Sequence, residues 1–331
     1  MWLYQNLVEF FGVHGLLSMW QNGILGWETL LTREGVQIAI APIFPVLLVL
    51  EFTCLLYLRR QDMKSVVTAY KYPVLNYFIN PLLLLFVTLD IFFFSYEFFS
   101  QYEVVAIPVT WYGFLYAVVV WELAHFVFHF TCHKVRLLWC LHSPHHSPLH
   151  MNLSVIFTGF FLHGVYANFV RTTICAVLGA PLPLLILIMA IDGCWGALIH
   201  IGHDIMPSGK LGFLSRFILT PSHHRVHHAR NPEYIDKNYC NTLPIWDRIF
   251  GTYQDEIKDI KPQYGLVRNA NYDSFIDMYF GEFILLLRDI RRAPTIWQAV
   301  LHMLMPPGWQ PKGSARTEPV PTSIPKQATP Q

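Results

Sequence analysis

The hydrophobic pattern of this chain is dominated by long apolar stretches, with little alternation between apolar and polar positions. A helix that crosses a bilayer needs about 20 residues. Stretches that reach or approach this length lie at about 38–58, 76–96, 105–128, 154–171 and 183–199. The core helices of a soluble protein would show a polar face, which these stretches lack. The pattern therefore predicts an all-α integral membrane protein with four to five transmembrane or re-entrant helices.

The segments around these stretches complete the predicted organisation. Residues 1–36 form a mixed amphipathic segment without the basic start and small-residue cleavage site of a signal peptide. Residues 37–305 are expected to form one membrane domain, in which a helix of mixed apolar and charged residues at 272–304 lies on the membrane surface. The tail 306–331 is rich in Pro, Thr, Gln and Ser, so we expect it to be mostly disordered.

Composition agrees with a membrane protein and argues against a nucleic-acid partner. The 331 residues are 53% hydrophobic and 14% charged, and the mean hydropathy of +0.36 exceeds that of a typical soluble enzyme. A net charge of +1 provides no basic face for nucleic acid. The six cysteines show no CxxC pairing, which argues against a thiol metal site or a disulfide framework.

The charged loops indicate which side of the membrane carries the polar segments. Four basic residues lie within 59–71, between the first two apolar stretches, whereas the next loop carries Glu97 and Glu103 and no basic residue. By the positive-inside rule the first loop is cytoplasmic. The histidine-rich segments 129–153 and 200–270 are then predicted to form a helical cap on the cytoplasmic side. The short, compact chain favours a bacterial inner membrane over the endoplasmic reticulum.

Histidines concentrate in four short motifs within these two segments. HFTCH places two histidines one turn apart on one helical face, where Cβ atoms lie about 5–6 Å apart. HRVHH follows a candidate N-cap at Ser222, and its adjacent histidines diverge by about 100° around the helix, which suits two metal ions better than one. HSPHH repeats this spacing, although Pro144 favours a helix start that leaves His142 outside. HIGHD follows the last apolar stretch.

The number of candidate ligands predicts a dinuclear metal site. One ion accepts about four to six ligands, and nine histidines are candidates if one is taken from HIGHD. An all-nitrogen pair of sites with an open position suits iron that activates oxygen, and zinc could occupy the same ligands in a purified sample. The candidate metal ligands are His129, His133, His142, His145, His146, His200, His224, His227 and His228.

Other polar residues near the motifs are candidate ligands or neighbours of ligands. His203 and, with less support, His223 are candidate extra ligands. His125 and Glu122 lie on the same helical stripe as the HFTCH histidines, where an ordinary polar residue of a membrane helix is an equal alternative. Three aspartates could accept the second ring N–H of ligand histidines or act as helix caps and salt bridges: Asp204, Asp236 and Asp247.

Isolated polar residues elsewhere have simpler interpretations. The lone histidines His14, His163 and His302 are predicted to be packing or interfacial residues. Arg171 lies near the turn between the last two apolar stretches, and we expect its side chain to extend to the far membrane interface.

Together these motifs resemble a known family. HxxxH, LWCLHSPHHS, HRVHH, DKNY and WDRIFGTY occur in this order and resemble the fatty acid hydroxylase/sterol desaturase superfamily of membrane di-iron enzymes. The resemblance covers about residues 37–313, and TPSHHRVHHARNPEYIDKNYCNTLPIWDRIFGTY is most similar to alkylglycerol monooxygenase-like bacterial members. It implies that Asn238 and Tyr239 belong to the site. Three positions depart from the residues usual in the family: Phe130, Lys134 and His203.

The resemblance implies a membrane-bound di-iron monooxygenase that uses O₂ to hydroxylate a lipid, such as an alkyl ether lipid, a sterol or an acyl chain. Desaturation on the same site is the alternative. Electrons must come from a separate donor, a reduced pterin, a cytochrome or a ferredoxin, since the chain has no GxGxxG, flavin motif or CxxC cluster. Two alternative functions without lipid oxidation are a non-catalytic metal-binding or transport protein and a haem electron carrier.

Overall fold

The computed structural model describes residues 81–311 and a few positions between residues 46 and 57. These residues form α-helices and short 3-10 helices, and no strand occurs among them, as the sequence predicts. The α-helices are α1 (Pro81–Phe99), α2 (Trp111–Lys134), α3 (Arg136–His146), α4 (His163–Val177), α5 (Leu182–Leu198), α6 (Pro221–His228), α7 (Ile245–Ile249), α8 (Phe275–Arg292) and α9 (Ile296–Leu304).

Among the described helices, only α2 is both long and apolar enough to cross a membrane by length and composition. α5 is apolar but has 17 residues, and α4 has 15. The expected four to five crossings are therefore not confirmed. The stretch 38–58 lies mostly outside the described residues, together with segment 1–36, the basic loop 59–71 and most of the tail 306–331.

The apolar hairpin predicted after the first histidine-rich segment is formed by α4 and α5, but α4 begins at His163 rather than at residue 154. The turn between them requires glycine, because Gly179 has a φ of 73° and a Cβ there would lie 1.5 Å from the carbonyl oxygen of Val105. The Val104 N–H donates to Val177 O at 2.9 Å. The hairpin is thereby attached to the loop that precedes α2.

The main hydrophobic core occupies the half of α2 that is distant from its C-terminal end. Buried side chains of α1, α2, α4 and α5 pack there, including Phe92, Trp121, Cys175, Leu185 and Ile188. The C-terminal half of α2, which carries the histidines, extends beyond this core. It contacts the chain segments that follow α2 and α5.

The course of α3 differs from the sequence prediction. Pro144 does not begin a helix; it lies inside α3, and His142 is therefore helical. The helix tolerates the proline because it ends at His146, so the lost N–H affects only the last turn.

The start of α6 also differs from the prediction. The helix begins at Pro221 rather than at Ser222, since proline suits the first helical position. Thr220 is the N-cap, and its backbone N–H donates to His223 Nδ1 at 3.1 Å. His223 is therefore occupied with capping the helix.

The predicted single helix at 272–304 is two helices, α8 and α9, because Pro294 disfavours helical backbone at the preceding residue. α8 packs on α3, where Arg136 forms a 2.6 Å ion pair with Asp289. The opposite face of α8 exposes a row of apolar side chains: Ile276, Phe280, Ile284 and Leu287. Such a row is typical of a helix on a membrane surface, and the position of the segment there stays a prediction.

Candidate metal centre

Nine histidines converge in two adjacent groups at the C-terminal end of α2, and they are the nine that the sequence singles out. Within each group, one ring nitrogen of each histidine lies within 4.8 Å of the corresponding nitrogen of every other histidine. The five-histidine group comprises His129, His133, His142, His146 and His227. The four-histidine group comprises His145, His200, His224 and His228. All except His133, which is half-buried, are buried.

The nitrogen spacing in the five-histidine group matches that of ligands around one ion. The Nε2 atom of His142 lies 3.1 Å from Nε2 of His129 and 3.1 Å from Nε2 of His146. Metal–nitrogen bonds of about 2.0–2.1 Å separate neighbouring ligand nitrogens by about 2.9–3.4 Å in octahedral or tetrahedral geometry. The group therefore has the dimensions of a metal site.

The four-histidine group has the same spacing. Nε2 of His224 lies 2.9 Å from Nε2 of His200 and 3.0 Å from Nε2 of His228. Nε2 of His200 lies 3.3 Å from Nε2 of His145. These four nitrogens therefore also face a common point at ligand distance.

Backbone carbonyls hold the other ring nitrogen of four of these histidines. A carbonyl only accepts hydrogen bonds, so Nδ1 carries the proton and Nε2 presents a lone pair. The pairs are His129 Nδ1 with Tyr239 O (2.9 Å), His145 with Val155 O (3.0 Å), His200 with Gly196 O (2.6 Å) and His227 with Lys237 O (2.9 Å). His145 and His200 thus face each other with two lone pairs and no proton between them, an arrangement that a cation would stabilise.

Two further observations fit bound cations. Nε2 of His133 and Nε2 of His227 are buried without a hydrogen-bond partner, which costs about 1–3 kcal/mol for each polar group. Burial lowers the pKa of His145 and of His227 to about 4. Both rings are therefore neutral at physiological pH and can bind metal without releasing a proton. The donor set suits two transition-metal ions.

α3 and α6 each contribute to both groups. α3 gives its i and i+4 histidines to the five-histidine group and the residue between them, His145, to the four-histidine group. α6 gives its i and i+4 histidines, His224 and His228, to the four-histidine group and gives His227 to the five-histidine group. Adjacent helical residues diverge by about 100°, so each HH pair spans the two groups.

His163 supports one of the clustered histidines, contrary to the prediction that it is a packing residue. Its Nε2 lies 2.8 Å from His142 Nδ1, and the two rings stack at 4.7 Å between centroids. Cys132 also lies within 4.8 Å of these nitrogens. No sequence signal identifies His163, because it is isolated in an apolar segment and approaches His142 only through the packing of α4 against α2.

Replacing His163 should weaken metal binding without abolishing it. In His163→Phe the His142 ring loses its partner, and we expect the metal affinity to fall about 10- to 100-fold. Gln retains a hydrogen-bonding group at the position, so His163→Gln should recover part of the loss. Competition with a chromogenic chelator measures both affinities, and His150→Phe, at an exposed position, is the control. Equal affinities for His163→Phe and the wild type would contradict the orienting role.

Asp247 acts on the site through the backbone rather than through a histidine N–H. This fully buried carboxylate accepts the backbone N–H groups of Tyr239 and Cys240, both at 2.8 Å, and the hydroxyl of Thr252 at 2.6 Å. It thereby fixes the segment whose Tyr239 carbonyl holds His129. The proposed direct contact between Asp247 and a histidine does not occur.

Glu122 holds the continuation of the same segment. Its carboxylate accepts the backbone N–H groups of Asn241 at 3.2 Å, Thr242 at 2.9 Å and Leu243 at 3.1 Å. Glu122 lies on α2 two turns before the first clustered histidine, so the helix that carries His129 also positions the loop that orients it.

Asp236 and Asn238 shape the loop around the carbonyl that holds His227. Both residues have positive φ angles, 62° and 55°, and Lys237 between them provides the carbonyl. Asp236 pairs with Lys134 and accepts the Tyr239 hydroxyl at 3.0 Å. Asn238 Nδ2 donates to His223 O at 2.9 Å. Asp236 thus pairs with Lys134 and the Tyr239 hydroxyl, not with a ring N–H of a clustered histidine.

Three candidates lie outside both groups. His203 is exposed and contacts Pro207 O and the Arg225 guanidinium. His223 points away from the groups, with Nε2 2.9 Å from the Tyr253 hydroxyl. Asp204 lies within electrostatic range of His203.

His125 lies beside the five-histidine group but does not belong to it. Its ring contacts that of His129 edge to face, at 5.6 Å between centroids. The Arg171 side chain lies inside the bundle. Its guanidinium is 5.0 Å from the centre of the Trp121 ring and 3.9 Å from Asp192. The expectation that Arg171 extends to the far interface is therefore wrong, because aromatic and acidic partners inside the bundle bind it.

The two buried histidine groups in this helical fold have the arrangement of a site for two metal ions. In a comparison with protein families, residues 114–252 match the fatty acid hydroxylase family. This span contains every histidine of both groups. The resemblance predicted from the motifs is thus confirmed.

Several characterised proteins are similar over part of their length. Human alkylglycerol monooxygenase is 31% identical over 204 residues, which are 62% of this chain and 43% of the human protein. The Caenorhabditis elegans alkylglycerol monooxygenase is 30% identical over 215 residues, 62% of this chain and 40% of the relative. Ornithine lipid hydroxylase OlsE of Rhizobium tropici is 30% identical over 150 residues, 45% of this chain and 44% of the relative. The chain therefore covers less than half of each relative, and no solved structure matches it.

Proposed function

We propose that this protein is a membrane-bound, O₂-dependent di-iron monooxygenase that hydroxylates a lipid. The observation that carries the proposal is the convergence of nine imidazoles around two points, with lone pairs facing inward. Iron is favoured because nitrogen ligands with an open position suit oxygen activation. Relatives named for the oxidation of alkylglycerols and ornithine lipids support a lipid substrate.

In this proposal the five-histidine group and the four-histidine group each hold one iron. When bound, the iron pair supplies the oxidation of an unactivated C–H bond by O₂. The chain orients the ligands: carbonyl acceptors such as Tyr239 O and Lys237 O fix the ring planes and keep Nε2 deprotonated. Burial of the rings excludes bulk water from the site.

An apolar cleft beside α5 supports a lipid substrate. Its volume is about 450 Å³. It is lined by Ala190, Ile191, Cys194, Trp195, Leu198 and Thr242. Leu198 precedes His200 by two residues, so the cleft reaches the segment that carries a histidine of the four-histidine group. An acyl or alkyl chain could approach the site from the bilayer along this cleft.

The proposed location follows from α2. This helix is long and apolar enough to cross a bilayer and carries His129 and His133 of the five-histidine group near its C-terminal end. We propose that it anchors the protein in a bacterial inner membrane, with the histidines at the cytoplasmic face. A separate donor there would supply electrons, for which a reduced pterin, a cytochrome and a ferredoxin are the candidates.

The test is comparative lipid mass spectrometry of cells that express the wild type or a His227→Ala/His228→Ala variant under ¹⁸O₂. The cells should be those of the organism that encodes the protein, because they contain its electron donor. We expect a lipid that gains one labelled oxygen with the wild type only. A lipid that loses two hydrogens without gaining label would identify a desaturase instead. No lipid difference, from protein shown to contain two irons per chain, would count against an enzyme.

A metal transporter is the rival that a second measurement separates. All nine clustered histidines lie together at one end of α2, whereas a transporter needs ligands along a path across the membrane. Reconstituted wild-type protein should therefore not move Fe²⁺ or Zn²⁺ into liposomes. A haem carrier would be identified by a Soret absorption band, which we do not expect because adjacent histidine pairs are poor axial ligands.

A further inference from the structure

The acidic and basic residues of α8 differ in their partners. Glu282 forms a 2.7 Å ion pair with Arg268, and Asp277 pairs with the same arginine at 2.9 Å. Asp289 pairs with Arg136 of α3 at 2.6 Å. The three arginines of α8 are exposed and form no ion pair with any residue that the structure describes: Arg288, Arg291 and Arg292. The acids of the helix are therefore neutralised within the fold, whereas its arginines present three positive charges to the outside.

The arginines continue the exposed apolar row of α8 towards the C-terminal end of the helix. Arg288 follows Ile284 by four residues, and Arg291 follows Leu287 by four, so each of these arginines shares a helical face with an apolar residue of the row. Ile284, Leu287 and the three arginines line an open pocket of about 410 Å³. The pocket thus combines apolar surface with three cationic groups.

The beginning of α9 exposes two further side chains that suit a bilayer. α9 begins four residues after Arg292. Its first two residues, Ile296 and Trp297, are 86% and 67% exposed. Tryptophan is enriched where the headgroups of a bilayer meet its hydrocarbon, because the ring is apolar and its N–H needs a polar partner. These side chains favour a lipid surface over an acidic protein as the partner of the arginines.

The charge of the pocket selects the class of lipid. A guanidinium group donates hydrogen bonds in a planar fork that matches the oxygens of a phosphate. Arg291 and Arg292 follow Arg288 by three and four residues, a spacing at which like charges repel, and a net negative headgroup offsets this repulsion. The ammonium of a zwitterionic headgroup would add to it. The helix dipole stabilises cations in the last turn, but it does not account for the apolar side chains in the same pocket.

We propose that Arg288, Arg291 and Arg292 bind the phosphate of an anionic phospholipid of the membrane, whose acyl chains contact Ile284 and Leu287. α8 packs on α3, which carries three of the clustered histidines. A lipid bound to α8 therefore holds the histidine groups close to the membrane surface. The lipid is a bound component of the membrane and not the molecule that is oxidised, so the proposal requires neither metal nor turnover.

The test is native mass spectrometry of the purified full-length protein in detergent. The protein is mixed with equal amounts of phosphatidylglycerol and phosphatidylcholine that have the same acyl chains, and the spectrum resolves which lipid is retained. The variant is Arg288→Gln/Arg291→Gln/Arg292→Gln, which keeps long polar side chains without the charges. The preference for phosphatidylglycerol should be about 10- to 100-fold larger in the wild type, because each arginine near an anionic surface contributes about fivefold in affinity.

The matched control removes the same charge at three exposed lysines between α5 and α8, in the variant Lys210→Gln/Lys258→Gln/Lys261→Gln, and should keep the wild-type preference. The preference is a ratio within each sample, so a smaller folded fraction cancels. Equal preferences in the wild type and the arginine variant would overturn the proposal and favour an acidic protein as the partner. An equal loss in the lysine variant would also overturn it. So would displacement of the lipid by inorganic phosphate, which lacks the chains that contact Ile284 and Leu287.

Discussion

His228→Ala should bind about one metal ion per chain where the wild type binds two. The substitution leaves three imidazoles in the four-histidine group, and the loss of one nitrogen ligand should lower the metal affinity of this group enough for its ion to be lost during purification. A metal ion contributes several kcal/mol to the stabilisation of the transition state, so lipid oxidation should fall at least about 100-fold. Elemental analysis of the purified protein, together with product formation, measures both effects.

The matched control for His228→Ala is His203→Ala, a histidine that the sequence also offers as a ligand. His203 is exposed and its ring contacts Pro207 and Arg225 rather than either group. His203→Ala should therefore keep both ions. Loss of an ion from His203→Ala, or two ions in His228→Ala, would show that the four-histidine group is not the second metal site.

Asp247→Ala should lower the free energy of unfolding by about 2–5 kcal/mol and weaken metal binding with it. The buried N–H groups of Tyr239 and Cys240 and the hydroxyl of Thr252 would lose their acceptor, and each unsatisfied buried group costs about 1–3 kcal/mol. The Tyr239 carbonyl would then be free to turn away from His129. Denaturant unfolding and metal titration in the same detergent measure the two consequences.

Asp255→Ala separates this effect from a general loss of negative charge. Asp255 lies close in the sequence, but its side chain is 63% exposed and only joins His223 and Tyr253. A surface interaction of this kind contributes about 0–1 kcal/mol. If Asp255→Ala destabilised the protein as much as Asp247→Ala, the role assigned to the buried hydrogen bonds would be wrong.

The spacing of the histidine motifs was enough to predict which nine histidines converge, but not how they divide between the two groups. A helix displaces adjacent residues by about 100°, so an HH pair in α3 or α6 faces two points. His142 was expected to lie outside the helix, and it shares a face with His146 because α3 continues through Pro144. The divergence of adjacent histidines depends on local helix geometry alone. The all-helical class is likewise apparent from the long apolar stretches.

The groups that orient the ligands could not be predicted, because they are brought to the site by tertiary packing. Carboxylates were the expected acceptors of the ring N–H groups, yet backbone carbonyls such as those of Gly196 and Val155 have this role. A carbonyl belongs to every residue and leaves no sequence signal. Arg171 was similarly misjudged, since its distance from Asp192 and Trp121 along the chain conceals their proximity in the bundle.

The sharing of α3 and α6 between the two histidine groups makes the two sites thermodynamically dependent on each other. A rotation or translation of either helix moves ligands of both groups at once, and no displacement of α6 can change the position of His227 without changing that of His224. In the proposed di-iron centre, occupation of one site should therefore pre-organise the other, and by linkage the effect would be equal in both directions. The pair should accordingly load and unload as a cooperative unit, with few molecules holding a single ion at intermediate metal concentrations.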